Sequence, residues 1–253
     1  MAIYLLVTKH SFRLSLTHLL KLCGVGLIIM VHWLAFYGAI KVSNVSVTMV
    51  AFSTGTLFSS IIEPILFKRK IRSYEVLIGL VIIGAIAMIF SIETQYWLGI
   101  LLGIAAAFTS SLFGVFNGLL AHHIRPAIIS FYELTSAFIG LTIFIAIRQD
   151  FTPSFFQLDQ PSIIGLLLLS LVCTVFPFIT SVNLAKYISP YTIVLTVNLE
   201  TVYGIIWAIL FFKENQELQP SFYFGVLIIL SAIFLNSYLK KISDKRLELN
   251  GGV

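Results

Sequence analysis

Charge is what this 253-residue chain has least of: only 11% of its residues are Asp, Glu, Lys or Arg, against about 25% in soluble domains. That scarcity excludes a water-soluble globular domain, which needs more polar surface. Cysteine is nearly absent too. Cys23 and Cys173 both fall in apolar stretches, and neither a disulfide framework nor a metal site has the ligand spacing it needs. Long polar connections are missing, the longest running from 149 to 161, so no second soluble domain is marked. The phosphate-binding loop Gly-x-x-x-x-Gly-Lys-Ser/Thr does not occur, which removes ATP as a direct energy source, and no other cofactor motif is present. The apolar start, Met1 to Val7, is too short for a signal peptide.

Apolar residues make up 58% of the chain, with a mean hydropathy of +1.00. They gather into eight stretches, roughly 22–40, 44–66, 76–92, 98–121, 127–147, 162–182, 190–212 and 221–238, each near or above the length a helix needs to cross a bilayer. Lipid cannot satisfy backbone amides and carbonyls, so such spans must be helices. The net charge of +5 is therefore loop chemistry and not a nucleic-acid footprint. If successive helices alternate direction, one side receives Lys9, Arg13, Lys21, Lys68, Arg69, Lys70, Arg72, Arg125, Lys186, Lys240, Lys241, Lys245 and Arg246, and the other only Lys41, Arg148 and Lys213. By the positive-inside bias, both termini are expected in the cytoplasm.

An internal repeat is expected as well. Lys41-Val42-Ser43 joins the first span to the second, and Lys186 to Pro190 joins the sixth to the seventh. The second and seventh spans end at Phe67-Lys68 and Phe212-Lys213. Lys41 and Lys186, like Lys68 and Lys213, stand 145 positions apart. An odd number of helices between copies inverts the second relative to the first, the design of many secondary carriers. On that reading the last five spans form a full unit and the first three are the end of a preceding one. Two helices and roughly 50 residues would then be lacking at the start, with Met1 to Val7 the tail of the second. A native eight-helix protein is the alternative.

Several segments carry a family likeness: Ala39-Ile40-Lys41, Phe131-Tyr132-Glu133, Lys186-Tyr187-Ile188-Ser189-Pro190-Tyr191-Thr192 and Asn198-Leu199-Glu200-Thr201-Val202-Tyr203-Gly204. In these the chain resembles EamA-type permeases of the drug/metabolite transporter superfamily. The resemblance implies a ten-helix (5+5) inverted-repeat transporter in the inner membrane; with the eight spans counted above, the expectation is an all-α membrane protein with eight transmembrane helices, an N-terminally truncated form of that transporter. It divides into an incomplete first EamA repeat at 1–96 (the tail of helix 2 plus helices 3 to 5), a complete second repeat at 97–240 (helices 6 to 10) and a cytoplasmic tail at 241–253. Family members generally move small metabolites such as amino acids. The chain departs from the family pattern at Thr201, where Pro is common, and at Lys213-Glu214, where Gly-Glu often closes the helix.

Polar side chains within the spans are the site candidates, because a carboxylate in hydrocarbon costs at least about 2.5 kcal/mol and should face protein or a wet cavity. Glu200 lies near the middle of its span and Glu133 about two turns into its own; either could line a substrate cavity, switch access states by taking up a proton, or hold helices together. Glu63, next to Pro64 and one turn from Lys68, reads as an interfacial ion-pair residue. Asn198 is two positions from Glu200, about 200° around the helix, so the two cannot face one cavity. Asn117 and Asn183 are cavity-lining or interhelical amides, and His32-Trp33 could stack on a substrate or simply pack. Pro177 is a hinge candidate. The seam Gly99/Gly103 suits close packing within the bundle or a homodimer face. Tyr96-Trp97 and Phe222-Tyr223 suit an interfacial belt.

The expected function is a secondary transporter working by alternating access on a small-molecule substrate, with coupling to protons or another ion open, and with the lipid bilayer as its partner and no cofactor. A non-transporting scaffold or degenerate carrier is the alternative. An intramembrane enzyme fits less well, since His122-His123 has no acid at catalytic spacing.

Overall fold

The structure, a computed structural model, describes residues 14–68, 70, 72–197 and 199–249; Met1 to Val7, Asn198 and the last four residues lie outside the described residues. Among the described residues all regular structure is helical. Seven helices among the described residues are long and apolar enough to cross a membrane. The third predicted span is a helix, Ser73–Ile92, whose apolar core Leu77–Ile89 is shorter than the other seven.

The helices are α1 Leu16–Val42, α2 Val45–Phe52, α3 Gly55–Phe67, α4 Ser73–Ile92, α5 Trp97–Ala121, α6 Pro126–Ile147, α7 Gln160–Ser170, α8 Phe176–Leu184, α9 Pro190–Val197, α10 Leu199–Phe212 and α11 Pro220–Leu249. Their ends follow from local chemistry. Asn44 caps α2 by accepting from the Val47 amide. Pro126 occupies the first position of α6, where a missing N–H costs nothing. Asp159 caps α7, and its hydrogen bonds from Ser162 hold the carboxyl below its ordinary value. Between α2 and α3 the Ser53 hydroxyl donates to the Val50 carbonyl and the Thr54 hydroxyl to that of Ala51, side-chain bonds that compete with the helical ladder. Pro177 has no amide to give, and a π-helical turn at Leu171–Val175 precedes it, the Phe176 amide reaching back to the Leu171 carbonyl. The proline thus sits just beyond a real irregularity.

The chain forms two compact units, Met1–Val31 with Phe116–Ser189, and His32–Val115 with Pro190–Val253. In the first, α6 packs on α8. Close approach to α1 rests on Gly26, where a Cβ would come within 2.5 Å of the Glu133 carbonyl oxygen and 2.6 Å of Ser136 Cβ. The span over α7 and α8, Gln160–Leu184, is highly apolar with no part of its central stretch buried, as suits a helix solvated by lipid.

In the second unit α4 runs along α11, α2 lies against α10, and α3 against α9. Because the first half of span 45–67 meets the second half of span 190–212, and the reverse, these two spans run antiparallel. The core of this unit includes Val47, Val50, Ile82, Tyr191, Ile229 and Phe222. Phe222 is completely buried, so it is a core residue and not part of an interfacial belt: it enters at the first turn of α11, where that helix presses on α4. The Gly99/Gly103 seam faces inward, a Cβ at Gly99 colliding with Ser43 and one at Gly103 falling 2.6 Å from Ala51 Cβ.

Candidate functional site

Among the described residues, five glutamates are buried in a chain that has so few charges: Glu63, Glu75, Glu93, Glu133 and Glu214. Three of them, all in the second unit, accept from backbone amides at the start of another helix. Glu214, just past α10, takes the Val45 amide on Oε1 at 2.9 Å and the Ser46 amide on Oε2 at 2.8 Å, capping α2. Glu63 in α3 takes the Tyr191 amide at 2.6 Å, capping α9. Glu93, just past α4, takes the Gln219 amide at 2.8 Å, where α11 begins. Helix starts carry unsatisfied N–H groups and a partial positive charge, so a carboxylate there is held by both. Glu63 is therefore turned toward the start of a distant helix, a role its neighbours Pro64 and Lys68 do not announce. Glu214 and Glu93 follow helix ends as ordinary corner residues, and only the surplus of acids beside apolar spans marks them in the sequence.

The antiparallel pair shows a further correspondence. The α2 and α9 helices start at Val45 and Pro190, and their spans end at Lys68 and Lys213, both in the left-handed backbone region with φ of 55° and 57°. Each pair stands 145 positions apart. The cap of each span's start comes from near the end of the other: Glu63 lies one turn before Phe67, and Glu214 two positions past Phe212.

The expected site residues divide between the units. Asn117 and Glu133, in the first, are brought together: the Asn117 Nδ2 donates to Glu133 Oε2 at 3.0 Å. Glu133 is fully buried and Asn117 is 3% exposed. Asn183, near the end of α8, is exposed, and Pro177 lies in the same unit. In the second unit the His32 Nδ1–H donates to the Ala106 carbonyl at 2.9 Å, and its ring lies 5.5 to 5.9 Å from those of Phe36, Phe52 and Phe113. This fixes the tautomer and gives the ring an aromatic surround. Trp33 is half-buried. Glu200, in the first turn of α10, is exposed and makes no hydrogen bond or ion pair among the described residues. Tyr203 and Trp207 follow it at three and seven positions, on the same face, and are 60% and 54% exposed. Among the described residues no cluster of His, Cys, Asp and Glu could hold a metal ion.

Long apolar helices, buried carboxylates spent on helix starts and short connections define a multi-pass membrane protein. The EamA-like transporter family model matches residues 97–238, more than half of the chain, and the protein belongs to that family, a part of the drug/metabolite transporter superfamily. Its members are membrane transporters, which implies a small-molecule substrate and the lipid bilayer as surroundings. A crystal structure of a protein shares the fold at a TM-score of 0.66 with 14% identity, over 94% of this chain and 82% of that one. No curated protein matches in sequence.

Proposed function

We propose that the protein is a secondary carrier that moves a small metabolite, such as an amino acid or related compound, across the cytoplasmic membrane by alternating access. Its eight helices are read as two oppositely oriented sets, with both termini in the cytoplasm and repeats at 1–96 and 97–240. The observation that carries this reading is the antiparallel pair of spans 45–67 and 190–212, with starts and left-handed ends both 145 positions apart and with reciprocal carboxylate caps. An inverted repeat produces such a relation, and carriers of this architecture use it to expose one site to either side in turn.

Glu200 is the leading cavity residue. An unpartnered carboxylate on the exposed face of a membrane helix is costly unless water or substrate meets it, and Tyr203 and Trp207 give the same face an aromatic surface. The test is flux into proteoliposomes over a panel of amino acids and related metabolites, under substrate and ion gradients. Glu200→Gln is expected to lower flux about tenfold or more, as follows from losing one charged hydrogen bond of about 1.5–3 kcal/mol, with protein abundance unchanged. Abundance that falls while no flux is seen in the parent protein would favour a scaffold.

A further inference from the structure

Glu133 and Asn117 form the least satisfied polar pair in the first unit. One Asn117 N–H meets one Glu133 oxygen. That leaves Glu133 Oε1 and Asn117 Oδ1, both buried, with no hydrogen-bond partner. Two orphaned acceptors point to a missing donor, since a buried polar group without a partner costs about 1–3 kcal/mol and more when charged.

The groups packed around the pair do not supply it. On α1 the neighbouring ionisable side chain is Cys23, whose carbonyl accepts from Ser136, and Lys21 is exposed. The α8 helix, Phe176–Leu184, contains no ionisable residue. On α6 itself the neighbour is Tyr132. His122 and His123, exposed, follow the end of α5, and Arg125 precedes α6.

Three donors could fill the gap. A metal cation such as Ca²⁺ takes about six to eight oxygens, and the orphaned pair offers two. A water molecule satisfies hydrogen bonds but leaves a bare charge in hydrocarbon. A proton does both: it turns Oε1 into a donor, for which Asn117 Oδ1 is the orphaned acceptor of the same pair, cancels the charge and requires no added volume where Gly26 already presses on the Glu133 backbone.

We propose that Glu133 is a reversible proton-binding site and that the carrier is driven by protons through it. Oε1 takes up one proton to give the neutral acid and releases it to restore the carboxylate, while Asn117 holds Oε2 in both states. Glu133 stands seven residues into α6, roughly 10 Å from its start, and that start is the corner carrying His122, His123 and Arg125. The coupling half of this inference rests on the transport reading; the binding half does not.

Infrared difference spectra of the full chain in lipid vesicles, between acidic and alkaline baths, test the site directly. A carboxylic-acid carbonyl band should vanish at alkaline pH, be absent in Glu133→Gln, and survive in Glu200→Gln. Asn117→Leu should change the bath pH at which the band is lost, because it removes the amide that holds Oε2. Glu133→Gln preserves shape and brings its own N–H donor, so it should fold and melt no lower than the parent. A band that persists at every pH, or that Glu133→Gln leaves unchanged, overturns the proposal. In vesicles, each unit of pH gradient should support up to about tenfold accumulation through one coupled proton. Glu133→Gln should reduce that ratio to one while sparing exchange of substrate for substrate. Substrate flux indifferent to a pH gradient overturns the coupling, whereas a titrating band with no flux under any gradient retains the site and sinks the carrier reading instead.

Discussion

A carboxylate placed in oil must find a donor, and here the commonest donor is the peptide backbone of another helix. Glu214 receives two amides and is 4% exposed, and hydrogen bonds to a charged acceptor contribute about 1.5–3 kcal/mol each. Glu214→Ala is therefore expected to destabilise the fold by about 3 kcal/mol, measured by thermal or denaturant unfolding in detergent. Three positions on, Glu217 is exposed, and among the described residues its side chain accepts only from Asn44, at 3.5 Å, so Glu217→Ala should change stability by less than about 0.5 kcal/mol. A pair of equal effects would show that the caps contribute nothing. At this scale the sequence was only half legible. It identified Glu133 and Asn117 as membrane-embedded polar groups but gave no sign that they touch, because they lie on successive helices and their meeting depends on rotation about both axes. It also drew Glu63 toward its sequence neighbour Lys68, since the helix start it caps is more than a hundred residues away in the chain.

Helix ends were easier to locate than to characterise. Phe67-Lys68 and Phe212-Lys213 read as polar stops, but nothing in a lysine signals that its backbone turns left-handed. Lys68 and Lys213 both do, in a region that costs a residue with a Cβ about 1–2 kcal/mol. Lys68→Gly and Lys213→Gly are each expected to stabilise by up to about 1 kcal/mol, the relief being partly offset by the greater freedom of glycine in the unfolded chain. The corresponding alanine variants should give no such gain, which a side-by-side melting series will show. Close packing is legible in one sense: the Gly99/Gly103 spacing pointed to a tight contact, and the contact lies within the bundle. The seam of α4 and α11 was not, because Gly225 has no glycine partner at helical spacing. A Cβ there would come 2.6 Å from Ile89 Cγ1, so Gly225→Val should force the helices apart and cost about 1–3 kcal/mol by overpacking.

Across the whole molecule, hydropathy alone located seven spans and the weaker helix at Ser73–Ile92, because lipid imposes both length and apolarity on every crossing. Orientation is a separate matter, read from thirteen basic residues on one side against three on the other. In a background with Cys23 and Cys173 replaced by serine, a cysteine introduced at Lys70 should be shielded from an impermeant thiol reagent added outside intact cells, and one at Asp150 should react. The opposite pattern would invert the topology. The reciprocal caps have a consequence for biogenesis. The Val45 amide and the Glu214 carboxylate that receives it are 169 residues apart, and at about 5–20 residues per second a ribosome takes roughly ten to thirty seconds to make that stretch. Until then the Val45 and Ser46 amides at the start of α2 wait in the bilayer without their acceptor. The last lock on an early helix is thus a late product of translation, and nascent chains cut short before it should be ready prey for membrane quality-control proteases.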